Sequence, residues 1–152
     1  MKRALLFLFA CTLCAPSMAH AIKVQFKVNN NTDKWVNAGI YKPSKSIDKP
    51  KTFTTVSNGK TKKLHVDVAA RGLKGQSEQV ILYVEPFNGK DTPVGTIFGE
   101  VEVSKDMLGS PKCKWKTLTV RNNDDSPYEM LINKGRPADN GCRRIKVKVR
   151  KK

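Results

Sequence analysis

Ile22, Val24, Phe26 and Val28 alternate with Lys23, Gln25 and Lys27 near the start of the chain. Successive side chains of a strand point to opposite faces, so this period buries one face and leaves the other to water. The pattern recurs in Leu64, Val66 and Val68 against Lys63, His65 and Asp67. It recurs again in Ile145, Val147 and Val149 against Arg144, Lys146, Lys148 and Arg150. No long stretch carries a helical period. After residue 21 the chain holds 14 Val and 7 Ile against 6 Leu and 4 Ala. Stiff β-branched side chains of this kind favour strands.

Further strands are expected over residues 35–41, 52–57, 60–68, 79–87, 94–103, 114–121, 128–133 and 143–150, joined by turn-forming segments. Asn29–Asp33 is rich in residues that tolerate turns, with Trp35–Tyr41 as a return strand. Asn58-Gly59 supplies the positive φ values of a tight hairpin between the strands on either side of it. Val80–Val84 is apolar enough for burial on both faces. One helical turn is expected around Asp106-Met107-Leu108 before Gly109. The fold class expected is all-β: an antiparallel β-sandwich of about 7–9 strands, immunoglobulin-like in the broad sense, with a small β-barrel as the alternative.

The first residues read differently. Lys2 and Arg3 precede an apolar run from Ala4 to Cys14, and Ala19-His20-Ala21 has the small-x-small form of a cleavage site. This is the pattern of a short, bacterial-type secretory signal, too short to span a bilayer, with cleavage expected after Ala21. Residues 1–21 are then a leader and 22–152 a single domain with a basic C-terminal strand. Removing the leader from the 152-residue chain leaves 131 residues, and 27 basic against 13 acidic side chains, a surplus of +14. A chain of that size can bury roughly two-thirds of its surface. The localisation expected is secreted or periplasmic.

Cysteine usage fits export. Cys11 and Cys14 lie in the leader, so Cys113 and Cys142 remain and are expected to form one disulfide in an oxidising compartment. The spacing is shorter than that of the inter-sheet bridge in a true immunoglobulin domain. There is no Cys-x-x-Cys and only one histidine, His65, beyond residue 21, so neither a metal nor a redox cofactor is expected.

Candidate catalytic groups are sparse. His65 and Asp67 share a strand face, but no serine sits in a nucleophile-elbow pattern. Glu100 and Glu102 share another face and could form paired carboxylates; acids so spaced also commonly balance lysines on exposed strands. Asp124-Asp125 lacks the spacing of a Ca²⁺ loop. A non-enzymatic protein is the expectation, with a hydrolase built on these residues as the lesser possibility.

The charge is local. Arg143, Arg144, Lys146, Lys148, Arg150, Lys151 and Lys152 contribute +7 within the last ten residues, half the surplus that remains after the leader. Lys112, Lys114 and Lys116 alternate around Cys113 and Trp115, and Lys23 and Lys27 do so on the first strand. A Cys113–Cys142 bridge would bring two of these basic strands together. The candidate binding residues are therefore Lys112, Lys114, Lys116, Arg143, Arg144, Lys146, Lys148 and Arg150. Such a face attracts an anionic polymer or membrane surface: glycosaminoglycan, lipid head group, lipopolysaccharide or DNA without sequence specificity. Lysines on strands also serve solubility and edge protection. Aromatics do not interleave with them as base-stacking platforms would. The function expected is an exported monomeric binding protein, a bacterial effector among the options. The alternative is a module contacting a host or envelope protein, or inhibiting one, through loops 42–51 and 122–127.

Overall fold

A computed structural model describes residues 20–43, 50, 52–70, 73–137 and 142–152. They form nine strands: β1 (His20–Asn31), β2 (Val36–Tyr41), β3 (Thr52–Val56), β4 (Thr61–Ala70), β5 (Gln76–Pro86), β6 (Gly95–Lys105), β7 (Pro111–Asn122), β8 (Tyr128–Pro137) and β9 (Arg143–Lys151). Among the described residues there is no helix. Two sheets result, one ordered β4-β1-β9-β8 and the other β3-β2-β5-β6-β7. The all-β class, a strand count within the expected range and the Cys113–Cys142 disulfide are all present. The expected leader lies outside the described residues up to position 19, and so do residues 44–49 of the loop that follows β2.

One buried cluster unites both sheets. Val24, Phe26 and Val28 of β1 and Ile145, Val147 and Val149 of β9 meet Ile40, Leu82, Ile97 and Val101 of the other layer. The alternation places these side chains inward, and removing them from water is the main favourable contribution to folding. Within the Val80–Val84 run of β5, Val80, Leu82 and Val84 are fully buried, while Ile81 and Tyr83 are half-buried on the outward side. The expectation of burial on both faces is thus corrected: among the described residues no second layer covers that side of β5 completely.

Six of the strand pairings are antiparallel, but β1 and β9 run parallel, with Phe26 opposite Ile145 and Val28 opposite Val147. A wholly antiparallel arrangement is therefore corrected. Period two says which residues face inward; it carries no information on the direction of the neighbouring strand.

Two expected hairpins are instead corners between sheets. β2 leaves β1 and joins the other sheet, and β3 and β4 also lie in different sheets. Both corners meet at Asn30, which is fully buried. Its side-chain amide donates to the carbonyls of Lys34 (2.7 Å) and Val56 (2.9 Å), and its Oδ1 accepts from the N–H (3.1 Å) and hydroxyl (2.8 Å) of Thr32. Its backbone pairs with the Asn58-Gly59 turn: Gly59 N–H donates to Asn30 O at 2.7 Å, and Asn30 N–H to Lys60 O at 2.9 Å. Gly59 has the expected positive φ, 68°. The turn chemistry is right, and what it connects is different.

The β6–β7 connection is a tight loop holding a single turn, with Gly109 N–H donating to Asp106 O at 2.9 Å, and no helix forms there. Asp106 Oδ1 accepts from the N–H groups of Leu108 (3.0 Å) and Ser110 (2.8 Å), while Asp106 N–H donates to Ser110 O (2.9 Å). These bonds close the loop across its mouth and leave no helical ladder.

Trp115 of β7 packs edge-on against Phe26 of β1 at 5.8 Å between ring centres, and its indole N–H donates to Arg143 O at 2.8 Å. It fits because position 99 is glycine; a Cβ there would stand 2.2 Å from the indole ring. Beside it the disulfide, with Cα atoms 4.8 Å apart, ties β7 to the residue preceding β9.

Candidate functional site

The outward face of the sheet β4-β1-β9-β8 gathers its polar side chains in cross-strand rows. Lys27 of β1 stands opposite Lys63 of β4 and Lys146 of β9, and Lys146 stands opposite Asn133 of β8. The next row runs Thr61, Asn29, Lys148, Leu131. Neither row contains a carboxylate. Neighbouring strands lie about 4.8 Å apart, so like charges in one row repel unless an anion bridges them.

These rows border an open concavity of about 600 Å³ lined by Lys27, Asn29, Asn31, Leu131, Asn133, Lys146 and Lys148 among others. The right-handed twist of a sheet makes such a shallow saddle available on its solvent face. Its chemistry is ammonium, side-chain amide and the Thr61 hydroxyl, with apolar contributions from Leu131, Ile132 and Val147. Asn29 is oriented by donating to Thr61 Oγ1 at 2.7 Å. Among the described residues, acids occur only towards the ends of the face: Asp67 opposite Lys23, and Glu129, which accepts Arg150 Nε and Nη2 at 2.7 Å each. Arg144 is half-buried and donates to Gln25 Oε1 at 3.0 Å.

The expected binding residues thus divide. Arg144, Lys146, Lys148 and Arg150 share this face. Arg143 is exposed at the start of β9 and lends its carbonyl to Trp115. Lys112, Lys114 and Lys116 lie on β7, at the edge of the other sheet, where Lys112 stands opposite Ser104 and the other two meet acids. Lys114 stands opposite Glu102, and Lys116 Nζ is 3.5 Å from Glu100 Oε1 and 3.2 Å from Ser77 Oγ. The disulfide does bring β7 close to β9, but their lysines point from opposite layers of the molecule. Lys63, Asn29, Asn31, Thr61 and Asn133 were not singled out by the sequence. Their signal, a polar residue at every second position, is common to all outward strand faces, and only the β1–β9 pairing collects them.

The other candidates are placed as follows. His65 is exposed opposite Gln25, and Asp67 lies two residues along the same face. Glu100 and Glu102 are half-buried on β6, each beside a β7 lysine. The Asp124-Asp125 turn is braced by Lys152, whose Nζ donates to the carbonyls of Asn123 (3.0 Å) and Asp124 (2.9 Å). Lys42, at the head of the long loop, is buried; its Nζ lies 3.3 Å from Glu78 Oε2 and 3.2 Å from Asp67 O. Among the described residues no three His, Cys, Asp or Glu side chains converge as a metal site requires.

The clearest shifts in protonation lie at the far end of the strands from the disulfide. Burial, reinforced by the hydrogen bond to Asp33, pushes the Tyr128 hydroxyl up to about 12. That bond, 2.7 Å to Asp33 Oδ1, holds the Asp33 carboxyl below its ordinary value. Lys34 and Asp91, paired at 2.8 Å, shift each other in the same charge-stabilising sense. This network ties the bend after β1 to the start of β8 and to the β5–β6 connection, and it stands apart from the lysine rows.

Among the described residues no helix is long and apolar enough to cross a membrane. The disulfide is consistent with an extracytoplasmic location. No protein-family model matches the chain, and comparison with curated proteins gives no match.

Proposed function

We propose that this is an exported, non-enzymatic bacterial β-sandwich protein that binds an anionic polymer along the β1–β9 seam. Lys27, Lys63, Lys146 and Lys148 supply the charge; Asn29, Asn31 and Asn133 supply directional hydrogen bonds. One observation carries the reading: two adjacent rows hold four lysines and no carboxylate, beside an open groove of amides. Solubility alone calls for charges of mixed sign, as β6 and β7 display with Glu100, Glu102, Lys114 and Lys116. The amides favour a sulfated or phosphorylated glycan, whose hydroxyls can both donate and accept, over a surface that offers charge alone.

Elution from immobilised heparin, compared with elution from a sulfonate resin of matched charge density, tests the proposal. The expected result is a higher eluting salt on heparin, falling to the resin's value in a Lys27→Ser, Lys146→Ser, Lys148→Ser variant. Screening by salt weakens exposed ionic contacts on both supports, so only the difference between them reports the groove. Equal elution on the two supports, or a variant that elutes like the parent, would overturn it.

A further inference from the structure

The loop joining β6 to β7 carries the two most exposed apolar side chains in the described structure. Met107 is 95% and Leu108 92% accessible. They are neighbours at a hairpin tip whose shape is fixed from beneath by the Asp106 carboxylate and by Gly109 at φ 81°. A third exposed apolar residue, Leu73 at 68%, lies on the connection between β4 and β5. Both loops are at one end of the sheets: Gln76 at the start of β5 pairs with Val103 near the end of β6, and Gly75 abuts the Glu102 side chain. Two connections therefore raise apolar groups from the same end of the molecule.

The surrounding charge is predominantly basic. Lys105 and Lys112 stand at the feet of the hairpin, Lys114 follows on β7, and Lys74 adjoins Leu73. Among the described acids at this end, Asp106 is engaged by its own loop's N–H groups and Glu78 by Lys42, while Glu102 stands opposite Lys114 in the β6–β7 register. We infer that this end docks on an anionic lipid bilayer, with Met107 and Leu108 entering the boundary between head groups and acyl chains while the lysines meet lipid phosphates. A narrow convex tip matches a deformable apolar medium. It does not offer the roughly 800 Å² per partner of a stable protein interface. Insertion of apolar side chains together with electrostatic attraction to anionic lipid is the general basis of such attachment. The tip projects from the end of the sheets and the lysine rows lie on a sheet face, so this inference stands independently of polymer binding.

The test uses the full chain carrying Leu108→Trp as a reporter, mixed with vesicles of phosphatidylcholine and phosphatidylglycerol. Fluorescence is expected to shift to the blue and to be quenched by brominated acyl chains beyond the parent's response, with little change on phosphatidylcholine alone. A Met107→Ser, Leu108→Ser variant is expected to lose about tenfold or more in vesicle partitioning. Its elution from heparin should match the parent's, and an unchanged circular dichroism spectrum and melting temperature show that it has folded. No added quenching, or a double-serine variant that partitions like the parent, would overturn the inference; the latter result would mean adhesion by charge alone.

Discussion

At the scale of single residues, Asn30 and Tyr128 do more for the architecture than any catalytic candidate. Asn30 is buried with its amide and carbonyl oxygen both engaged, at the point where two sheet-changing corners meet. Replacing it with Ala leaves the Val56 carbonyl and the Thr32 N–H without these partners. Asn30→Ala is expected to cost about 2–4 kcal/mol in denaturant unfolding. A loss near that of an exposed-site substitution would show that the corners hold without it. Tyr128 is raised to about 12 by burial and by Asp33, so in the folded state it keeps its proton at pH values where an unfolded tyrosine has lost it. Stability is therefore expected to fall as pH rises between about 10, the ordinary tyrosine value, and about 12. Tyr128→Phe should abolish that part of the pH dependence, read as the alkaline slope of the melting temperature. Asp33 has the opposite sign: its lowered value supports the fold above the ordinary carboxylate range and withdraws that support as the solution is acidified.

At the scale of strands and connections, inward and outward positions were legible on β1, β4 and β9, where the face choice repeats with period two. Phe26, Leu64 and Ile145 were each placed on the side they occupy. Partnership was not legible. The Asn58-Gly59 turn looks the same whether its flanking strands pair with each other or diverge into two sheets; the difference lies in Asn30, nearly thirty residues away. Gly99 was equally silent in the sequence. Its significance appears only when β7 lies beside β6 and brings Trp115 over the missing side chain. Trp115 cannot easily yield, since Phe26 and the Arg143 carbonyl hold it. Gly99→Ala is expected to destabilise by about 1–3 kcal/mol, measured by chemical denaturation, with altered near-ultraviolet dichroism from the displaced indole. An unchanged midpoint would mean that the indole has room to move.

At the scale of the whole molecule, the positive surplus is distributed unevenly between the two layers. On the β6–β7 side lysines and glutamates alternate across strands; along the β1–β9 seam lysine meets lysine. The sequence shows the alternating cations of β9, but it does not show that the first and last strands lie side by side. That parallel pairing brings Lys27 to Lys146 and makes a groove from four strands. A nuclear magnetic resonance titration of backbone amides with a short sulfated glycan measures the consequence directly. Shifts are expected to concentrate at Lys27, Asn29, Asn133, Lys146 and Lys148, and to shrink when Lys146 and Lys148 are replaced by Ser. Shifts confined to Lys112–Lys116, or spread evenly over every basic residue, would contradict a binding groove on the β1–β9 face.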